Sequence, residues 1–145
     1  MKAFIYEIIS TAAAIDAAGN SILKPFGLTP MTFNILNVLS DGPLSQREIS
    51  DQVIVAASSI TFQVRQLQKK GLIQRRRSDA RTWRVSLTPL GADRRRSAEK
   101  RMDAIIEQIR MNPETTAAAR LAVKEVRDRL AELMPEPAQT GAILQ

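Results

Sequence analysis

Apolar residues recur at helical spacing at both ends of this chain. The stripe near the N-terminus has a nearly heptad spacing and predicts an amphipathic helix that ends at about Leu23. The stripe near the C-terminus follows a break at Asn112-Pro113 and predicts a last helix to about Met134, before an irregular tail. The N-terminal stripe comprises Ile5, Ile8, Ala12, Ile15 and Ile22. The C-terminal stripe comprises Ala119, Val123, Val126, Leu130 and Leu133.

Capping signals mark two helices in the part of the chain that follows the first stripe. Thr29-Pro30 places a capping hydroxyl before a proline at the first helical position, which predicts a helix through about Leu39. Ser45 and Glu48 have the spacing of a capping box, so a short helix is expected to start there. The free N–H groups at its start, near Ser45 and Gln46, suit a phosphate, and a purely structural cap is compatible with that role.

The next segment predicts a helix and then a hairpin. Residues 55–71 have a helical pattern that ends on Gly71, a residue that suits a helix C-cap. The segments "LIQRRR" and "TWRVSLT" have the composition of strands and are separated by the turn-like "SDA". Thr88-Pro89 repeats the cap and the proline, and starts a helix to about Arg110. The fold class is therefore mainly α with a small β-hairpin wing.

This order of elements predicts a winged helix-turn-helix. The two outer stripes, which a lone monomer would leave poorly buried, predict N- and C-terminal dimerisation helices. In helix-turn-helix proteins the second helix of the pair enters the major groove of DNA. We expect an N-terminal dimerisation helix at 1–27, a winged helix-turn-helix DNA-binding domain at 28–91, and C-terminal dimerisation helices and a tail at 92–145. The alternative is that the two outer helices pack only on their own domain.

Positive charge is concentrated in the middle of the sequence. The 145 residues carry a net charge of +6, and between Arg65 and Arg101 thirteen Lys and Arg residues stand against three acids. This band favours a polyanion-binding face, although a solvated basic surface gives the same counts. The absence of cysteine and histidine excludes disulfides, Cys nucleophiles, a His base and a Cys/His zinc site. No cofactor is expected.

No segment has the pattern of a membrane span. Glu7 and Asp16 interrupt the N-terminal apolar run, which argues against a signal peptide. The longest uncharged run, residues 25–40, is too short to cross a bilayer and contains two prolines. A soluble, cytoplasmic protein is therefore expected.

The helix at 55–71 has two chemically different faces. Phe62 is at the centre of the outer face, where a phenyl ring gains nothing from water but can contact thymine methyl groups in a groove. Packing of Phe62 against a neighbouring helix or the wing is the other explanation. The inward stripe comprises Ala56, Ile60, Val64 and Leu67. The residues expected to join Phe62 in reaching base edges or phosphates are Ser58, Ser59, Thr61, Arg65 and Lys69.

The hairpin sequence crowds five arginines around one aspartate, Asp79. A carboxylate two residues before Arg81 can hold that guanidinium by a bidentate pair and aim it into a narrow minor groove. The other explanation is that Asp79 favours the turn, as aspartate often does, and both explanations can hold. Arg75 and Arg77 are further expected DNA contacts, but the hairpin register that decides which face they occupy is open.

Three short motifs occur together between Leu28 and Gly91. They are Leu67 with Lys70-Gly71-Leu72, Asp79-x-Arg81, and Leu87-Thr88-x-x-Gly91. In this combination the segment closely resembles the DNA-binding core of the MarR family of bacterial transcription regulators. The resemblance implies an obligate homodimer joined through its N- and C-terminal helices, which binds double-stranded DNA at pseudo-palindromic operators.

The resemblance also implies a mode of regulation. Family members typically release DNA when a small molecule, often an aromatic anion, enters a crevice between the dimer and DNA-binding parts. Others sense oxidation through cysteine or bind zinc through histidine, and this chain has neither residue. With these two mechanisms set aside, regulation by a small-molecule effector remains. A protein with no effector is the alternative. Its binding residues are unknown, because the candidates Phe26, Met31, Phe33 and Trp83 are more simply core residues.

The function expected from the sequence is that of a sequence-specific, dimeric DNA-binding transcriptional regulator, more often a repressor than an activator. The alternative is a winged-helix module for protein–protein assembly without DNA binding, against which the arginine-bearing wing argues. An enzyme is not expected, because the sequence has no nucleophile–base pair, metal cluster or glycine-rich phosphate loop.

Overall fold

The computed structural model describes residues 1–53, 57–79 and 81–133. Within these ranges the chain forms six α-helices, two 3₁₀ turns and one hairpin, in the order predicted from the sequence. The helices are α1 (Lys2–Leu23), α2 (Pro30–Val38), α3 (Gln46–Val53), α4 (Ala57–Lys69), α5 (Pro89–Gln108) and α6 (Pro113–Leu133). The strands are β1 (Ile73–Arg77) and β2 (Trp83–Leu87). The expected helix positions Val55 and Ala56 and the tail from Met134 onward lie outside the described residues.

The core lies where α2, α3 and α4 meet the hairpin. Ile60, Val64 and Leu67 are buried along one side of α4, which confirms the inward stripe for these three residues. Ile49 of α3 and Leu36 of α2 are buried in the same cluster. Each such side chain contributes about 1.5–3 kcal/mol by leaving water. This cluster fixes α3 and α4 as one rigid helix pair beside the hairpin.

Two reciprocal caps start the helices of this core. The Thr29 hydroxyl accepts the amide hydrogen of Thr32 at 3.2 Å, and the Thr32 hydroxyl accepts that of Thr29 at 2.8 Å. The predicted capping box of α3 is also confirmed, because Ser45 Oγ accepts from the Glu48 amide and Glu48 Oε2 accepts from the Ser45 amide. Such caps satisfy helix N–H groups that have no partner within the helix.

The hairpin is antiparallel, with Arg77 opposite Trp83 at its outer end. At the middle of β2, Val85 and Leu44 exchange two backbone hydrogen bonds, of 3.0 and 2.7 Å, so β2 lies between β1 and the segment that leads into α3. Alternate residues of a strand face the same side of a sheet. Ile73 and Val85 are buried, so their side of the hairpin faces the helices.

The turn after α1 is tied to the ends of two other helices. Lys70, just beyond α4, donates from Nζ to the carbonyl oxygen of Gly27 at 2.7 Å, and Arg94 of α5 donates to that of Phe26 at 3.3 Å. Gly27 has a φ of 66°, a left-handed conformation that glycine adopts without strain. The turn that follows α1 is thus bonded to the residue that follows α4 and to α5.

Both outer helices leave apolar side chains exposed. In α1 only Leu23 is buried, and α6 has no buried residue. Exposed large apolar side chains on these helices include Phe4, Tyr6, Ile9, Ile15, Leu121, Val123, Leu130 and Leu133. None of the described helices combines the length and the apolar character that a membrane span needs.

Candidate nucleic-acid interface

The outer face of α4 presents an aromatic ring and two basic side chains. Phe62 is 59% exposed, and it packs into neither a neighbouring helix nor the wing as a buried residue would. Arg65 and Lys69 are also exposed, whereas Ser59 and Thr61 are partly buried. The side chain of Ser58 lies outside the described part of the structure. Exposure on the predicted outer face is therefore confirmed for Phe62, Arg65 and Lys69, but not for the partly buried Ser59 and Thr61.

The start of α3 contacts the outer face of α4. Gln46 Nε2 donates a hydrogen bond to Thr61 Oγ1 at 3.3 Å, and Ser45 forms the cap described above. Both side chains are partly buried. This contact brings two expected site residues from different helices together, and it fixes the angle at which the outer face of α4 is presented.

Asp79 stabilises the backbone of the hairpin tip. Its Oδ1 accepts the amide hydrogens of Arg81 and Thr82, each at 2.8 Å. These two bonds, followed by weaker ones from Thr82 and Ser78, hold the pKa of the Asp79 carboxyl below its ordinary value. Of the two explanations for Asp79, the structure therefore supports the second, in which the carboxylate stabilises the turn.

The bidentate pair expected between the Asp79 and Arg81 side chains is not formed. No ion pair joins these two residues, both of which are described. The reason is geometric, because the carboxylate of Asp79 is turned toward the amide hydrogens at the tip, where it acts as an Asx-type turn residue. The Arg81 side chain remains exposed at the tip.

Arg75, Arg77 and Trp83 form a cluster on one side of the hairpin. The guanidinium carbon of Arg75 lies 5.2 Å from the centroid of the Trp83 ring, and that of Arg77 lies 5.5 Å from it. Both distances are within the range of cation–π contacts. Trp83 is 45% exposed, so the expectation that it belongs to the core was wrong. The register, which the sequence left open, places it beside arginines instead.

An ion pair that the sequence reasoning missed joins the wing to the helix pair. Arg84 Nη1 donates to Glu48 Oε2 at 2.7 Å, from β2 to α3. The hydrogen bonds from Ser45, with a smaller contribution from the charge of Arg84, lower the pKa of the Glu48 carboxyl. The partners are 36 positions apart in the sequence, so no local pattern predicts this contact.

An apolar cleft of about 540 Å³ opens between α1, α2 and α5. Phe33 contributes to the core and also lines this cleft, whereas Phe26 and Met31 pack against the core. The lining also includes two polar side chains, those of Asp16 and Asn34. The volume is within the range of small-molecule sites in proteins.

Comparison with known proteins identifies the class to which this fold and surface belong. The model of the MarR family matches residues 26–81, from the turn before α2 to Arg81 at the hairpin tip. The Uncharacterized HTH-type transcriptional regulator YwoH of Bacillus subtilis (strain 168) is 31% identical over 129 residues, which cover 87% of this chain and 89% of that protein.

Solved structures agree with this match. AbsC, a MarR family transcriptional regulator from Streptomyces coelicolor, has a TM-score of 0.79 at 19% identity and covers 90% of this chain and 94% of its own. The organohalide-sensing transcriptional regulator RdhR, in its 2,4-dichlorophenol-bound form, has a TM-score of 0.81 at 18% identity over 96% of this chain and 86% of its own. The protein is a winged-helix transcriptional regulator. It belongs to the MarR family.

Proposed function

We propose that this protein is a dimeric regulator that binds DNA sequence-specifically through α4 and the wing. The observation that carries the proposal is the exposed Phe62, which shares the outer face of α4 with the exposed Arg65 and Lys69. Arg65 and Lys69 supply attraction to phosphates, while an apolar ring at the centre of the face suits thymine methyl groups in the major groove.

The wing is held so that it can contact the same duplex as α4. The Gln46–Thr61 hydrogen bond joins α3 to α4, and the Glu48–Arg84 ion pair joins α3 to the wing. With α4 in a major groove, Arg81 at the wing tip would enter the adjacent minor groove. In this proposal the DNA-binding domain comprises residues 28–91. Its DNA-binding residues are Ser45, Gln46, Ser58, Ser59, Thr61, Phe62, Arg65, Lys69, Arg75, Arg77, Asp79 and Arg81.

The exposed apolar residues of α1 and α6 support a homodimer. An α6 helix with no buried residue is poorly stabilised in a monomer, because helices gain most of their stability from packing an apolar face. We assign residues 1–27 and 92–145 to dimerisation. A twofold dimer would read a pseudo-palindromic operator with half-sites about one helical turn, roughly 10 base pairs, apart.

The cleft between α1, α2 and α5 supports release of DNA by a small apolar or aromatic effector. The related RdhR is known in a 2,4-dichlorophenol-bound form. An occupant of the cleft would contact α1, whose following turn is bonded to Lys70 at the end of α4. A change in α1 would thus reach the DNA-binding helix. Such a protein would act as a repressor on the chromosome, in the cytoplasm.

Selection of bound sequences from random duplexes with the purified full-length protein tests the proposal. We expect enrichment of a pseudo-palindrome, whose affinity falls with salt at a log–log slope of about 0.9 per phosphate neutralised. A shuffled duplex of the same composition is the control. Equal affinity for both duplexes at physiological salt would reject sequence specificity, and the absence of any binding would favour the assembly module.

A further inference from the structure

On the side of the wing that carries Trp83, two arginine side chains contact the indole ring. Arg75 and Arg77 are two residues apart on β1, so their side chains leave the strand on the same side. Their guanidinium carbons lie 5.2 and 5.5 Å from the centroid of the ring, and Trp83 faces Arg77 across the hairpin. One indole thus contacts two guanidinium groups.

The indole ring is the contact that orients Arg75. Within the described residues this side chain forms no ion pair, and its Nε is buried without a hydrogen-bond partner. Attraction between the ring face and a cation, together with stacking of the flat guanidinium, restricts a long side chain that otherwise samples many rotamers. The outer N–H groups of a guanidinium that stacks in this way still point away from the ring, where they can donate to an anion.

The position of this cluster indicates that the anion it would contact is a phosphate of the DNA backbone. It lies on the side of the hairpin that faces the helices, where Arg75 is opposite the buried Val85 and the pair of Arg77 and Trp83 lies farther out toward the tip. When α4 occupies a major groove and the wing tip the adjacent minor groove, one strand of the DNA backbone runs between them. The helix-facing side of the wing faces that strand.

We infer that Trp83 is a positioning residue, which holds Arg75 and Arg77 against the backbone phosphates that separate the two grooves. This inference rests on the proposed DNA-binding function. Arg76, between the two arginines, leaves β1 on the other side of the hairpin, opposite Arg84, and contacts Gln74 instead. It is therefore a matched control, with the same charge on the same strand but no contact with the ring.

The contact with the ring is tested first in the free protein. Trp83 is the only tryptophan, so selectively excited tryptophan fluorescence reports this cluster alone. Arg75→Ala and Arg77→Ala should each increase quenching of Trp83 by acrylamide, because each uncovers part of the ring. Arg76→Ala should leave quenching as in the wild type. An equal effect of all three substitutions would overturn the stacked arrangement.

The role in binding is tested by a mutant cycle on the duplex that the selection yields. Trp83→Leu should weaken binding about fivefold to thirtyfold, the scale expected for two exposed cation–π contacts. Trp83→Phe, which keeps an aromatic face, should restore most of the affinity. In the Arg75→Ala/Arg77→Ala background, Trp83→Leu should have no further effect. In the Arg76→Ala background it should keep its full effect, and thermal unfolding of each variant verifies the fold.

Two further results distinguish a failure of the inference about Trp83 from a failure of the proposed DNA-binding function. The Arg75→Ala/Arg77→Ala protein should lose about two contacts per wing, seen as a log–log salt slope lower by about 1.8 per protomer. If Trp83→Leu weakens binding equally in all backgrounds, its role is only structural and the inference fails while the proposed function stands. If the wild type binds no duplex, the proposed function fails, and the acrylamide result still reports on the stacked cluster.

Discussion

Gly91 of α5 lies so close to Leu72 that a Cβ atom at position 91 would collide with the Leu72 carbonyl group. The same carbonyl oxygen accepts the amide hydrogen of Thr88 at 3.1 Å. The Thr88 hydroxyl donates to the carbonyl oxygen of Gly71 at 2.6 Å and accepts the amide hydrogen of Gly91 at 3.0 Å. Together these contacts hold the start of α5 against the residues that follow α4, which gives the Leu-Thr-x-x-Gly motif a physical basis.

Gly91→Ala should therefore destabilise the protein, although alanine in a helix is more favourable than glycine by about 1 kcal/mol. The added methyl group meets backbone atoms, which cannot rotate away, so we expect a net loss of about 1–3 kcal/mol. Urea unfolding followed by circular dichroism measures it. Ser97→Ala, on an exposed part of the same helix, should stay within about 0.5 kcal/mol of the wild type. Equal stability of Gly91→Ala and wild type would contradict this packing.

Phe62 should read thymine methyl groups, if α4 lies in the major groove. Phe62→Ala should weaken binding to the selected operator, and replacement of the contacted thymine by deoxyuridine should cost about 1 kcal/mol, the scale of one buried methyl group. The two losses should not add, because each removes the same contact. Arg65→Ala serves as the control, since its loss should be the same on thymine and deoxyuridine duplexes. Additive losses for Phe62→Ala would assign the ring a different role.

Local signals explain why most of the fold could be predicted from the sequence. Helix starts depend on caps within three residues, as at Ser45 and Glu48, and helix faces depend on a fixed period. The environment of Trp83 could not be predicted, because it depends on strand register, which no nearby residue determines. Likewise, the Glu48–Arg84 ion pair joins positions that only the folded chain brings together.

The wing tip yields a prediction that separates the two roles considered for Asp79. Arg81→Ala should cost about 1–3 kcal/mol of binding free energy, the range for a base-contacting arginine, and most on A·T-rich flanks. Asp79→Ala should cost less, since it loosens the tip but keeps the arginine. Asp79→Asn keeps an acceptor for the amide hydrogens of Arg81 and Thr82, and should bind nearly as the wild type does. Competition binding on duplexes with different flanks measures all three. If Asp79→Asn bound as weakly as Asp79→Ala, the charge would matter more than the turn.

The stripe on α6 should hold two copies of the chain together. Leu130 is 53% exposed in the single chain, and a glutamate there would bury a charge in the proposed dimer. Leu130→Glu should destabilise the dimer by about 1–3 kcal/mol per protomer, measured by analytical ultracentrifugation over a concentration series. Lys124→Glu, which adds a carboxylate outside the stripe, is the control and should leave the dimer intact. Monomeric wild type at all concentrations would refute the dimer.

The lowered pKa of Glu48 predicts how the stability of the protein depends on pH. The carboxylate accepts hydrogen bonds from Ser45 and pairs with Arg84, so the fold favours its ionised form below the ordinary pKa of 4.5. This stabilisation is fully present above pH 4.5 and is lost as the pH falls through the lowered pKa of the folded protein. Glu48→Gln keeps a side chain that suits a capping box but loses the charge.

Accordingly, the variant should be less stable than the wild type at pH 7, and the difference should shrink progressively below pH 4.5 as the wild-type carboxylate gains its proton. Urea unfolding across this range measures the difference. In an Arg84→Gln background the difference at pH 7 should be smaller but not zero, because the hydrogen bonds from Ser45 lower the pKa more than Arg84 does. A difference that stayed constant from pH 7 to pH 3 would show that the charge of Glu48 contributes nothing to the stability of the fold.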